Sequence, residues 1–113
     1  MVILETGGTF IRDSVASLMT TGQYGSDGTT ESEGDTALGT PIAATQLSLA
    51  VTKAGLTIST VHELDSVTGN GNTLREFAVK TASGDLTRAT TTDLVKDNTK
   101  EVVTTNIFFV SIN

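Results

Sequence analysis

Alternation of apolar and polar residues along the second half of the chain restricts it to a fold rich in β-strands. Leu47, Leu49 and Val51 alternate with polar neighbours, and the same period of two returns over 56–64 and from about Glu101 to Ile112. This period places successive side chains on opposite faces of a strand. Threonine, a β-branched residue that packs well in strands, occurs 22 times in the 113 residues.

Short segments rich in glycine and asparagine separate these strands and predict tight turns. They are Lys53–Gly55, Gly69–Asn72 and Ser83–Asp85, with further strands at 74–80 and 86–91 between them. Five strands joined in this way predict a mainly β protein, a compact antiparallel β-sandwich whose strands span 42–112 of a single domain, 1–113. The last strand is apolar on both faces near its end, so we expect it to lie between two layers.

The N-terminal part differs, because its apolar residues follow a helical period. Ile11, Val15, Leu18 and Met19 form one stripe, which predicts a short helix at about 10–20. The next segment, 21–40, has five glycines and many Ser and Thr residues, which is the composition of a long loop.

Charge is concentrated in this predicted loop. The chain has 13 acids and seven bases, a net charge of −6, and four of the acids lie close together without a base among them. These are Asp27, Glu31, Glu33 and Asp35. The negative field argues against a nucleic-acid partner, which requires clustered Lys and Arg. We interpret the cluster, together with Tyr24, as a candidate interface with a protein partner.

Composition also limits catalysis and cofactor binding. The chain has no cysteine and one histidine, which excludes thiolate chemistry and histidine-rich metal sites. We therefore expect no enzymatic activity, no cofactor and no bound metal, and no apolar run is long enough to predict a membrane span. If a cation does bind, the four loop carboxylates are its candidate ligands, because calcium prefers oxygen ligands.

Two other candidate sites have an ordinary structural alternative. His62 is a possible general base beside Ser59 or Asp65, or simply a half-exposed strand residue. The Gly69–Asn72 segment lacks the spacing of a phosphate-binding loop and is interpreted as a turn.

Three charged residues are candidates for a structural ion pair. Arg75, Glu76 and Arg88 lie on predicted strands near turns. They form either ordinary exposed pairs at a sheet edge or a buried contact between Glu76 and an arginine that fixes strand register. The sequence leaves both alternatives open.

Three segments in order resemble the small tail-fibre, tail-collar and baseplate-associated proteins of tailed phages and archaeal tailed viruses. They are Gly25–Gly39 with its SEGDTALG stretch, Asn70–Val79 and Ala82–Arg88, followed by Lys96 or Lys100 and an alternating C-terminal strand. The resemblance extends from about residue 10 to the end of the chain.

The resemblance implies a non-enzymatic structural protein of the virion, acting in tail, baseplate or fibre attachment. Its implied partners are further copies of itself, in a symmetric homo-oligomer, and other virion proteins of the tail, baseplate or capsid. A capsid decoration or head turret protein is an alternative within this class. A host-surface or carbohydrate-binding module is the alternative from another class, although five aromatic residues are few for sugar binding.

Overall fold

Two antiparallel sheets face each other in the computed structural model, which describes residues 5–110. The elements are α1 (Glu5–Leu18), β1 (Thr21–Gly25), β2 (Leu47–Ser48), β3 (Ala50–Ala54), β4 (Thr57–Leu64), β5 (Thr73–Thr81), β6 (Gly84–Asp85), β7 (Ala89–Val95) and β8 (Val102–Phe109), with a single 3-10 turn at Ala43–Thr45. The larger sheet has the order β2-β1-β5-β6, with β7 also paired to β5, and the smaller sheet has the order β3-β4-β8. This confirms the predicted mainly β sandwich with one helix near the N-terminus.

The core between the sheets centres on three rings. Phe77 of β5 lies 4.9 Å from the Tyr24 ring and 5.2 Å from the His62 ring, measured between centroids. Ile58, Leu64, Leu74 and Val79 pack around them and are essentially inaccessible to solvent. His62 is therefore a core residue, and the expectation that it is half-exposed was wrong.

The helix covers one end of this core and uses part of the predicted stripe, since Val15 and Met19 pack there. It begins at Glu5 and ends at Leu18, earlier than expected. Ala16 and Met19 join the core cluster, whereas Ile11 and Leu18 are 45% and 56% exposed. The small Ala16 side chain fits the close contact with the sheet. Arg12 ties the helix to the β3–β4 hairpin through a 2.6 Å hydrogen bond to the Gly55 carbonyl.

Residues 21–25, predicted as the start of the loop, form β1 in the middle of the larger sheet. Tyr24 of this strand pairs with Phe77 of β5. The loop is therefore shorter than predicted and covers 26–40. The two glycines of β1 are required by close packing: a Cβ on Gly22 would lie 2.7 Å from the Phe77 ring, and one on Gly25 would collide with the Glu76 side chain. Glycine here indicates a tight approach within a strand.

The segment predicted as the first strand of a hairpin divides between the two sheets. Leu47 and Ser48 pair with β1 in the larger sheet, and the chain then crosses at Leu49 to pair with β4 in the smaller sheet. The predicted tight turn is present, with Gly55 at a φ of 56°. Gly69 and Gly71, with φ values of 79° and 88°, confirm the second predicted turn.

The last strand lies at an edge of the smaller sheet, and one of its faces is exposed, so the expectation that it lies between two layers was wrong for the single chain. Within residues 5–110, β8 pairs with β4 alone. Its inner side chains Val102 and Phe108 pack on the core, but Val103, Ile107 and Phe109 are 63%, 59% and 77% exposed. Ile112, where the strand was predicted to end, lies outside the described residues.

Substitution of Phe77 tests this core. We expect Phe77→Ala to lower the free energy of unfolding by about 3–5 kcal/mol, because it leaves a cavity among the three rings. Phe109→Ala is the matched control and should change it by less than about 0.5 kcal/mol, since that ring is exposed. Urea unfolding of both variants at low protein concentration measures the difference, and equal losses would contradict the core described above.

Candidate functional site

A buried carboxylate closes the acidic loop onto the larger sheet. Glu76 lies on β5 with its side chain on the face opposite the core, and it is inaccessible to solvent. Its oxygens accept hydrogen bonds from the backbone N–H groups of Asp27 (3.1 Å), Gly39 (2.8 Å) and Thr40 (2.9 Å). Because these donors lie near both ends of the loop, one side chain holds the two ends together.

Arg88 is the ionic partner of Glu76 and the second centre of this network. Its Nε donates to Glu76 Oε1 at 2.8 Å, and its Nη1 donates to Asp35 Oδ2 at 2.9 Å. Its Nη2 donates to the carbonyl oxygens of Thr29 (2.9 Å) and Asp27 (3.4 Å). The Arg88 side chain is only 6% exposed, so its charge is neutralised almost entirely by the loop and by Glu76.

Of the two alternatives left open for these charged residues, the structure shows both at different positions. Glu76 and Arg88 form the buried contact. It joins β5 to the segment that precedes β7, and it also anchors the loop. Arg75 forms the ordinary exposed pair, with its Nε 3.2 Å from Asp93 Oδ2. Arg75 also donates to the Ser26 carbonyl at 3.3 Å, near the beginning of the loop.

Hydrogen bonding lowers the pKa of the carboxyl groups in this network. Burial by itself raises the pKa of Glu76, but hydrogen bonds from Thr40, Arg88, Gly39 and Asp27 outweigh it and leave the pKa below its usual value. The Ser32 backbone N–H, aided by Arg88, lowers the pKa of Asp35. All of these bonds favour the ionised forms.

The other predicted loop carboxylates have separate positions. Hydrogen bonds from Thr29 lower the pKa of Asp27, and those from Thr90 on β7 lower the pKa of Glu31. Glu31 thereby joins the loop to β7, and Glu33 is exposed. Tyr24, proposed as an interface residue, is buried in the core; its hydroxyl contacts Thr104. That assignment was wrong, because β1 turns the ring inward.

The structure does not bring the four loop carboxylates together around an open cation position. The Arg88 guanidinium lies between Asp27 and Asp35, 4.0 Å and 2.9 Å from their carboxylate oxygens. Across residues 5–110, no group of three or more His, Asp or Glu side chains is arranged to hold a metal ion.

His62 and its two suggested partners are also separated. Its Nε2 lies 2.8 Å from the Thr45 carbonyl oxygen, and burial lowers the pKa of its imidazole. Ser59 is on the opposite face of β4, and Asp65 binds the backbone N–H groups of Val67 and Thr68 at 3.0 and 2.8 Å. The imidazole thus fills the core as a neutral ring.

Sequence reasoning missed the structural role of Lys96, the buried cation at the second turn. Its side chain is inaccessible to solvent, and its Nζ donates to Asn70 Oδ1 at 2.7 Å and to the Asp97 carbonyl at 3.2 Å. The residues that follow Lys96 in the sequence are polar, so the sequence did not indicate that this lysine is buried. It stabilises the Gly69–Asn72 turn.

The outer face of the smaller sheet, directed away from the core, contrasts with this charged side of the molecule. Its side chains are mostly apolar or hydroxylic, and Glu63 is the only charged one. They are Ala50, Thr52 and Ala54 of β3, Thr57, Ser59, Val61 and Glu63 of β4, and Val103, Thr105, Ile107 and Phe109 of β8. The corresponding face of the larger sheet carries Gln23, Glu76 and Lys80 and is closed by the acidic loop.

Two open grooves border the outer face where β4 ends and β8 begins. The larger, of about 480 Å³, is lined by apolar residues and by three carboxylates, Glu63, Asp65 and Glu101. The smaller, of about 340 Å³, lies beside it along Ala50 and Val61. One end of the face is therefore acidic, and the rest of it is uncharged.

Comparison of the chain with protein-family models, with curated proteins and with solved structures gives no significant match. In the part of the chain that the structure describes, no helix is long and apolar enough to cross a membrane.

Neutralising Glu76 tests the network. We expect Glu76→Gln to lower the free energy of unfolding by about 3 kcal/mol, because Arg88 loses a buried ionic partner and the amide NH2 group, in place of one carboxylate oxygen, faces the donors which that oxygen accepted from. Arg75→Gln is the control for loss of an exposed pair and should cost less than about 1 kcal/mol. Thermal and urea unfolding of the two variants give the comparison; similar costs would show that the Glu76 contacts are dispensable.

Acid should release the loop. Since the pKa of Glu76 is lowered in the folded state, its stabilising contribution is complete above its unfolded-state pKa of about 4.3 and is lost as the pH falls through the lower folded-state pKa. We expect the amide proton shifts of Gly39 and Thr40 to move together below about pH 4, while the Ser59 amide serves as a reference. Unchanged Gly39 and Thr40 shifts down to pH 2 would contradict this role of the carboxylate.

Proposed function

We propose that this protein is a non-enzymatic structural component of a tailed virus particle, acting in tail, baseplate or fibre attachment by self-association and docking to other virion proteins. The observation that carries the proposal is the outer face of the smaller sheet. It presents Val103, Ile107 and Phe109 to solvent with one charged neighbour. Contiguous exposed apolar surface on a small domain is typical of a protein interaction site.

The use that the fold makes of its polar residues supports a structural role. Glu76, Arg88, His62 and Lys96 carry the groups most suited to acid–base or electrostatic catalysis, and all four are buried in contacts that hold loops, turns or the core together. These four residues are therefore committed to the fold, which supports a role that depends on surface contacts.

The division of charge between the two sides of the sandwich supports docking by one side. The acidic loop presents Glu31 and Glu33 to solvent on the side of the larger sheet, and a negatively charged surface favours solubility and discourages nonspecific association. Away from its acidic end, the outer face of the smaller sheet is uncharged. One side therefore suits exposure to solvent, and the other suits self-association.

The resemblance in sequence favours tail, baseplate or fibre attachment over capsid decoration, which would use the same kind of surface. Carbohydrate binding has less support, because Tyr24 and Phe77 are in the core and the exposed aromatic residues, Phe10 and Phe109, have no polar group on the ring.

Particles made from a viral genome that encodes this chain test the proposal. Mass spectrometry of gradient-purified particles should find the protein at a constant copy number. Ile107→Lys should reduce that number at least tenfold, because a lysine would have to be desolvated in the surface used for self-association, on which assembly depends. Thr91→Lys, at an exposed position of β7, should leave it unchanged. Protein found in infected cells but absent from wild-type particles would contradict a virion role.

A further inference from the structure

We propose that a second copy of this chain covers the outer face of the smaller sheet, packed sheet against sheet across a two-fold axis that lies between the two faces and runs perpendicular to their strands. The inference rests on the proposed function, which includes self-association, and it specifies the surface and the geometry that self-association uses.

The composition of β8 points to a second layer. Apolar residues on both faces of a strand are typical of a strand covered on both sides. Val102 and Phe108 have their cover, since they pack against the core. Val103, Ile107 and Phe109 have none among residues 5–110. The surface that covers these side chains must be able to pack against apolar and hydroxyl groups.

Charge identifies another copy as the matching occupant. A strongly basic partner would find acids at only one end of this face, where Asp65 and Glu101 lie beside Glu63, and a strongly acidic partner would find no cation on the strands of the face. The same face on a second copy carries the same apolar and hydroxylic side chains, so the two faces can pack with the acidic end of each over the uncharged end of the other. The matching surfaces of a two-fold dimer are self-complementary in this way.

Repulsion between the two Glu63 carboxylates sets the relative direction of the copies. In the two-fold arrangement the facing strands run in opposite directions, so Glu63 of one copy lies over the end of the face that contains Thr57, which pairs with Phe109. Residues 57 and 63 are about 20 Å apart along the strand. This exceeds the screening length of about 8–10 Å at moderate salt, whereas a parallel arrangement would stack the carboxylates.

The size of the face predicts a reversible dimer. Three strands about 4.8 Å apart and eight residues long give a footprint of roughly 400 Å². This is about half of the roughly 800 Å² per partner that standard stable interfaces bury. Dimerisation should therefore depend on concentration in solution and should strengthen on a particle, where neighbouring contacts raise the effective concentration.

Sideways pairing of β8 with the β8 of another copy is the competing arrangement. The strand has no proline and no charged residue over Val102–Phe109, so its free edge is suited to pairing. That arrangement would extend the sheet and leave the apolar side chains of the outer face in water. Stacking of the two faces covers them, and for that reason the structure favours it.

Lysine substitutions on the outer face but away from the β8 edge separate the two arrangements. Ser59 lies on the middle strand opposite Ile107, and Thr52 lies beside Ser59 on β3. Ser59→Lys and Thr52→Lys place a charge inside a stacked interface but leave the edge of β8 intact. Thr91→Lys makes the same change of net charge on the larger sheet and is the control. Amide NMR spectra establish that each variant is folded.

Sedimentation equilibrium from about 1 µM to 1 mM gives the result. We expect the wild type and Thr91→Lys to dimerise with the same dissociation constant, and Ser59→Lys and Thr52→Lys to dimerise at least tenfold more weakly. A wild type that is monomeric throughout would overturn the inference. Dimers unaffected by Ser59→Lys and Thr52→Lys would overturn it in favour of edge pairing. Neither result removes the protein from the particle, so the virion role is judged separately by particle mass spectrometry.

Discussion

The buried carboxylate of Glu76 is the constraint around which the polar half of the structure is organised. An ionised carboxylate without solvent costs several kcal/mol unless its oxygens are hydrogen-bonded. Arg88 and three backbone N–H groups supply those bonds, and the loop has to close over β5 to bring the backbone groups within reach. Gly25, next to Glu76 on the neighbouring strand, leaves space for the side chain. The acidic loop is thus held by one residue of the sheet.

A consequence of this arrangement is that the two outer sides of the sandwich differ in chemistry. The loop brings Asp27, Glu31 and Asp35 to one side, where Arg88 and hydrogen bonds stabilise their ionised forms. The other side has carboxylates at one end only and leaves the apolar residues of β8 exposed. This division is the basis of the proposal that copies of the protein associate through the smaller sheet and keep the acidic side in solvent.

Much of the fold was predictable, because strand period and turn composition are local properties. The alternation in β4 and β8 and the glycines at 55, 69 and 71 predicted their elements. The prediction failed at β1. Gly22 and Gly25 give this segment the composition of a loop, but they are required because a Cβ at either position would collide with Phe77 or Glu76. The prediction also failed for Ile11 and Leu18 of the helix, because periodicity identifies a stripe but not how far a helix extends over the core.

The sequence alone therefore determined the β-rich class, the alternation of faces and the absence of thiol chemistry, since each depends on composition or on neighbouring residues. Only the tertiary structure decided which arginine meets Glu76, that Tyr24 and His62 lie in the core, and that one face of β8 is exposed. These outcomes depend on residues distant in the chain, such as Gly39 with Glu76 and Tyr24 with Thr104. A local period states that a strand has two faces, but only long-range packing determines what covers each of them.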